Sequence, residues 1–550
     1  MSCTVADGGP CCCCRLACRR SSAVSTSRAP LFTPTRLWAT LGLLVLCGIA
    51  LAIRLPELGT RLIHADESVH AMRYGEVLDG TYRYDPDEYH GPTLYYAAWP
   101  MLVAQGKTDF NEIDIVDYRL LTVIFGVILV CCAPLAMPGG SALAVLVAAA
   151  LLAFSPILGY YSRYFIQEIL LAVFTLAFLG AAYRAARDQA LKWLLWAGVF
   201  AGLMIATKET ASIAFLAAIA AFLVARPGRA APADKPQWTA GQLLGATGLG
   251  AVVAYVLLSS FFSQPSAPFG FLNSLAIWHN RATGGDLHTQ PWSYYLQLVA
   301  YKSLPRGGTY TEGLILGLAL LAALIGWRQR WVRFMAVYSI ALIAIYSAIP
   351  YKTPWCAVQI IAPLALLAGW GADRLLGLVP RWWWWLPLGA ALAFGLFNLY
   401  SQSQLINHRL LLSQANPYSH TLTTPDAEEL AERIENVART MPTGLQTMVI
   451  VANTDGYYWP LPWHLRRLPN AGWFDHLPTA EELGGDISLA PIVVFSPAYR
   501  EELEPRLAAT HEIAGSFSLR SRVFLMLWVN KKDWSHYLEQ RDQFEQDDDW

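Results

Sequence analysis

Apolar runs of about 20 residues recur along this chain, and each is long enough to cross the hydrocarbon core of a bilayer as a helix. The first covers roughly Leu37 to Ile53. Others lie near 118 to 137, 141 to 159, 166 to 183, 192 to 207, 210 to 225, 241 to 262, 311 to 327, 332 to 349, 355 to 371 and 383 to 401, about eleven in all. In lipid every backbone polar group needs an internal partner, so the pattern implies a polytopic α-helical membrane protein. With 55% hydrophobic and only 15% charged residues, the chain is too apolar for an ordinary soluble enzyme. Its net charge of −1 gives no footprint for nucleic acid.

Lys and Arg set the orientation. With a cytoplasmic N-terminus, Arg184, Arg187 and Lys192, then Arg226, Arg229 and Lys235, then Arg328, Arg330 and Arg333, then Arg374 and Arg381 all fall inside. Trp382 to Trp385 would sit at that interface as membrane anchors. Residues 1–36, with Cys3, Cys11 to Cys14 and Cys18 among several arginines, read as a disordered cytoplasmic tail. Residues 37–401 read as the transmembrane domain. Residues 402–550 change to soluble composition and read as a small extracytoplasmic α/β domain with an acidic tail. Thr424-Pro425-Asp426 reads there as a helix start with a capping hydroxyl, and 448–452, 491–495 and 523–529 as strands.

The same parity gathers the remaining polar stretches on the opposite face. They are His64-Ala65-Asp66-Glu67-Ser68-Val69-His70, the turn from Tyr160 to Glu168 with Arg163, Thr207-Lys208-Glu209-Thr210, the loop 263–310, and Tyr351-Lys352-Thr353-Pro354-Trp355. A carboxylate pair flanked by His64, His70, Arg61 and Arg73 is costly to dehydrate beside lipid unless it is partnered or wet. It reads either as a reaction site or as a solvated loop. Arg163, Lys208 and Lys352 at span edges suit a phosphate headgroup, or else salt-bridge locally, Glu168 to Arg163 and Glu209 to a neighbour. Glu67, Asp85, Asp87 and His90, with His64, His70, His279 and His288, supply ligands for a divalent cation, although three acids in four residues are also an ordinary solvated turn.

These motifs, in this order, resemble the C-type (GT-C) membrane glycosyltransferases, the superfamily of protein O-mannosyltransferases and lipid A aminoarabinose transferases. The likeness rests on Asp66-Glu67 in the first outer loop, His90-Gly91-Pro92-Thr93-Leu94-Tyr95 after it, Arg163 with Glu168, and Thr207-Lys208. More narrowly, His64-Ala65-Asp66-Glu67, Tyr89-His90-Gly91-Pro92, Thr207-Lys208-Glu209-Thr210, Tyr351-Lys352-Thr353-Pro354-Trp355 and Tyr458-Trp459-Pro460-Leu461-Pro462-Trp463 resemble the flippase-activity-associated predicted glycosyltransferases. The chain departs from the aminoarabinose transferases where they carry a Lys before the prolines and it carries His90-Gly91-Pro92.

The resemblance implies transfer of a sugar from a polyprenyl-phosphate donor to an extracytoplasmic lipid, glycan or protein acceptor, at a multi-pass plasma-membrane protein. Asp66 would be the general base, with Glu67 orienting the loop or holding a cation. His64, His90, Arg163, Glu168, Lys208, Glu209 and Lys352 would bind substrate. One base and no covalent intermediate would invert the anomeric centre. A lipid-linked sugar flippase and a non-catalytic accessory subunit are the alternatives; a flippase calls for ionisable groups near span midplanes.

Overall fold

The computed structural model describes residues 34–85, 90–226, 238–271, 273, 276, 280, 288–304, 308–379 and 381–547. The cysteine-rich tail, Asp87 and His279 lie outside them. Helix α1 (Pro34–Arg54) leads to the short amphipathic helix α2 (Ala65–Leu78), then α3 (Thr93–Ala104) and α4 (Ile115–Cys131). A helix falls in every one of the apolar windows. Five, at 37–54, 168–188, 240–258, 330–348 and 354–377, are long and apolar enough to cross a membrane on their own. Several others are shorter because the chain breaks them: Ala142–Phe154 ends at Ser155, where Pro156 opens the next helix.

Small residues let these helices approach. A Cβ on Gly202 would lie 2.3 Å from the Gly250 carbonyl, which brings Leu191–Ile205 and Ala240–Leu258 backbone to backbone. Outward, Leu244, Leu324 and Phe394 are each 71% exposed, an apolar surface of the kind that lipid covers. Trp383, Trp384 and Trp385 are also exposed, and the Arg381 guanidinium lies 5.3 Å from the Trp383 ring.

A two-stranded ribbon, β1 (Lys302–Leu304) with β2 (Gly308–Tyr310), precedes the helix Gly313–Gly326. The C-terminal part holds a five-stranded sheet of β3 (Val449–Ala452), β4 (Ala471–Phe474), β5 (Ile492–Phe495), β6 (His511–Arg520) and β7 (Val523–Asn530), in the order β4-β3-β5-β7-β6. β3 runs parallel to β4 and β5, while β7 is antiparallel to both β5 and β6. Strand alternation sorts its core into two layers. Val449, Val451, Ile492 and Val494 pack against Leu430, Ile434 and Val437 of the helix Asp426–Thr440. Ile450, Ala452, Val493 and Phe495 pack against Leu503 and Leu507 on the other face. β4 and β6 had no distinct sequence signal, β4 because Ala471-Gly472 is a poor strand former and β6 because its apolar residues are sparse. Thr424 does not cap the helix that follows it, whose N-cap is Pro425; its hydroxyl instead donates to the Ser518 carbonyl.

The sheet docks on α2. Trp463 packs its ring 5.8 Å from Tyr118 and 5.9 Å from Phe110, with the Arg466 guanidinium 3.8 Å from its ring centre, so the Tyr458 to Trp463 motif is the foot on which the sheet stands. The strap 420–424 makes the second attachment.

Candidate active site

Helix α2 divides the acidic pair. His64 is its N-cap: its Nδ1 accepts from the Asp66 amide at 3.1 Å, and Glu67 reaches back to the His64 amide at 3.1 Å in a capping box. Successive helical residues point about 100° apart, so the two carboxylates must face different surroundings. The Glu67 side chain is fully buried and the Asp66 side chain is 46% exposed.

Glu67 is saturated. Oε1 accepts from Arg119 Nε at 2.8 Å, Arg61 Nη2 at 3.2 Å and the Phe165 amide at 3.0 Å. Oε2 accepts from Arg119 Nη2 at 2.7 Å and the His64 amide. Burial alone would raise this carboxyl, but Arg119 and Arg61 with these hydrogen bonds hold it well below the ordinary range. Neither oxygen is left for a cation or for proton transfer. Arg119, at the start of α4, also donates to the carbonyls of Leu58 and Arg61, and Arg61 lies 3.3 Å from the Tyr164 ring centre. An arginine in the first turns of an apolar helix was a signal for this anchor.

Asp66 stands in a ring of imidazoles. Burial pushes its carboxyl up, and His64, His70, His420 and His90 together bring it below its ordinary value. His70, one turn along α2, hydrogen-bonds Tyr95 at 2.9 Å; burial and His90 push it down to about 3, so it is neutral at physiological pH. His420 contributes from 354 positions away and had no local sequence signal; burial and His64 push it down to about 4. Since His64 Nδ1 accepts from the backbone, its Nε2 carries the hydrogen that points to the His420 carbonyl at 2.9 Å.

Two motifs 117 positions apart in sequence are joined beside this ring. The Thr93 amide donates to the Ala206 carbonyl at 3.3 Å and its hydroxyl to Thr207 Oγ1 at 2.7 Å. A Cβ on Gly91 would lie 2.1 Å from the Ala206 oxygen, so only glycine fits. His90 Nδ1 meets Glu209 Oε2 at 2.8 Å, and Lys208 pairs with Glu168. The local salt-bridge alternative of Glu168 with Arg163 is therefore replaced by a pairing with Lys208. Arg163 turns the other way, donating to the carbonyls of Pro56 and Glu57 at 2.7 and 2.9 Å, and its Nε and Nη1 are buried with no hydrogen-bond partner among the described residues.

The Tyr351 to Trp355 loop closes the opposite side. His288 lies 5.3 Å from Tyr351 and 4.7 Å from His420, and Trp355 lies 5.2 Å from His420 and 6.2 Å from His64 (ring centres). Lys352 is 2% exposed, donates to the Ile349 carbonyl, and has no carboxylate within 4.0 Å among the described residues; burial lowers its pKa. Asp85 is exposed at the rim of an open cavity of about 550 Å³ that Arg73 and Arg83 also line. Among the described residues no group of three or more His, Cys, Asp or Glu side chains could hold a metal ion.

Residues 108–257 match the family model described as dolichyl-phosphate-mannose-protein mannosyltransferase. The match takes in Arg119, Arg163, Glu168, Lys208 and Glu209 and stops short of Asp66. No curated protein sequence matches the chain. Its fold is similar to that of ArnT from Cupriavidus metallidurans in the apo state, with a TM-score of 0.59, 16% identity, and 90% of this chain and 98% of that one covered. The same protein bound to undecaprenyl phosphate gives 0.58 and 16%, covering 90% and 97%. The apo oligosaccharyltransferase of Archaeoglobus fulgidus gives 0.50 and 12%, covering 87% and 70%. The likeness to the solved structures is one of fold along most of the chain, and the likeness to the mannosyltransferase family model is confined to residues 108–257.

Proposed function

We propose that the chain transfers a sugar from a polyprenyl-phosphate donor to an acceptor on the extracytoplasmic face of the plasma membrane, within the flippase-activity-associated group, with inversion. The observation that carries this reading is the division of the acidic pair: Glu67 is locked by five donors, while Asp66 is ionised, accessible and ringed by the imidazoles of His64, His70, His90 and His420. Asp66 takes the acceptor proton as the hydroxyl attacks the anomeric carbon. Lys352, with no competing carboxylate among the described residues, and Lys208 face the leaving phosphate, where fixed charge in a dry site stabilises departing negative charge. Arg163 belongs to the floor beneath α2. A fold shared with a structure holding undecaprenyl phosphate supports a lipid-phosphate donor. Purified protein should release undecaprenyl phosphate from an undecaprenyl-phosphate-linked hexose or pentose when a hydroxyl acceptor is added, and the product's anomeric coupling constants should show inversion. Retained configuration would remove the single-base mechanism; no release from any such donor would remove the function.

The orientation belongs to the same reading: residues 1–36 in the cytoplasm, 37–401 in the membrane, and 402–550 outside with the site. Gln446 is exposed on the sheet unit, so Gln446→Cys should react with a membrane-impermeant maleimide in intact cells. Labelling only after the cytoplasm is opened would reverse the topology.

A further inference from the structure

The strap 420–424 ties the sheet to the N-terminus of α2. On one side the His420 carbonyl and Thr421 Oγ1 meet His64 Nε2 at 2.9 and 3.1 Å, and the Thr423 hydroxyl donates to the Ile63 carbonyl at 2.7 Å. On the other side Thr423 bridges Arg520, the Thr424 amide donates to the Leu519 carbonyl at 3.0 Å, and Asp426 accepts from the Ser518 amide at 3.0 Å. The end of β6 is thereby fixed relative to Asp66. Arg520 is its last residue, opposite Val523 across the tight connection to β7. Its guanidinium lies 5.3 Å from the Tyr457 ring, and Tyr457 is itself 38% exposed. It also lies in the electrostatic field of the Asp66 carboxylate and of His420. Among the described residues it makes no side-chain hydrogen bond and has no carboxylate within 4.0 Å. Among the described residues Lys208 is engaged by Glu168, Lys352 by a carbonyl, Arg61 and Arg119 by Glu67, and Arg163 by the carbonyls of Pro56 and Glu57.

A half-buried guanidinium with all its donors free, backed by an aromatic face, is suited to an oxyanion that it can grip in two places. The position decides which substrate supplies it. In an in-line displacement the base and the leaving phosphate lie on opposite sides of the anomeric carbon, so a cation placed at the base is on the acceptor's side. We propose that Arg520, with Tyr457 behind it, is an acceptor-binding residue of the C-terminal sheet that selects acceptors carrying a carboxylate or phosphate near the reacting hydroxyl. This rests on Asp66 being the base.

The test is equilibrium binding to the full-length purified protein. Methyl glucuronide is compared with methyl glucoside and glycerol 3-phosphate with glycerol, and undecaprenyl phosphate is titrated separately. The wild type should bind each anionic probe about tenfold or more tightly than its neutral partner, the effect of one good charge-assisted contact. Arg520→Gln should abolish that preference and leave undecaprenyl phosphate binding and thermal stability unchanged, while Arg520→Lys should restore part of it. No anionic preference in the wild type, or a preference that survives Arg520→Gln, overturns the proposal. So does a loss confined to undecaprenyl phosphate, which would assign the cation to the donor. Binding does not need the base, so these results stand apart from the turnover of Asp66→Asn: an active Asp66→Asn withdraws the base and this assignment with it, whereas an inactive one beside an unchanged Arg520→Gln overturns this assignment alone.

Discussion

Glu67→Gln should lose about 3 to 5 kcal/mol of stability, the usual result of removing one partner from a buried ion pair. The physical reason is the donor count. Arg119, Arg61 and two backbone amides all point hydrogens at this side chain, and an amide accepts at one end only. Its NH2 would face either the Arg119 Nη2 and His64 donors or the Arg61, Arg119 Nε and Phe165 donors, and two buried guanidinium groups would lose their counter-charge. The loop from Leu58 to His64 hangs on the same arginine, so the N-terminus of α2 should loosen as a unit. Thermal unfolding in detergent measures it. The folded carboxyl sits below its unfolded value, so its stabilisation is complete above the ordinary glutamate range and fades only as pH falls through the folded value. From pH 5 to 8 the gap between wild type and variant should therefore be constant. A variant that melts with the wild type would mean that Glu67 is not the anchor.

Much of the site's composition was legible because it is written in short motifs, and the partnerships were not, because they are made across the fold. Asp66-Glu67, His90 to Thr93, Thr207 to Glu209 and Tyr351 to Trp355 stand out as polar words in an apolar text. What no spacing could reveal is that Glu168 turns to Lys208 and Arg163 to the carbonyls of Pro56 and Glu57, since both choices depend on which helix packs beside the turn. The division of labour in the acidic pair could have been anticipated once His64 was read as an N-cap, because a capping box draws the third helical residue back toward the chain and frees the second. Arg119 was readable from cost alone, as a cation at the start of an apolar helix. His420 and Arg520 were not readable. Each sits in ordinary polar sequence and acquires meaning only when the strap lays the sheet on α2. In the helical part, periods of apolar residues marked where helices fall but not how Ser155-Pro156 divides one run into two.

Asp66→Asn should lower sugar transfer by about 10² to 10⁴ while leaving the protein folded and donor binding intact. Its side chain is 46% exposed, and His64 Nδ1 is 3.9 Å from it, so asparagine can occupy the same space without stranding a buried group. What it removes is the proposed proton acceptor. The carboxyl lies below its ordinary value, so the wild-type carboxylate is ionised throughout the neutral range, and the acid limb of the rate profile should lie below the ordinary aspartate range. His70 and His420, pushed down to about 3 and about 4, stay neutral over the same range and add no second limb above it. The measurement is turnover from an undecaprenyl-phosphate-linked sugar, with melting temperature and undecaprenyl phosphate affinity recorded on the same preparation. Loss of turnover with both controls unchanged makes Asp66 a group that acts only as the bond is made. Loss of turnover together with loss of donor affinity would instead make it a binding residue. Near-normal turnover would remove it as the base, and because Glu67 has no oxygen free, the base would then have to come from the imidazole ring of His70, His90 or His420.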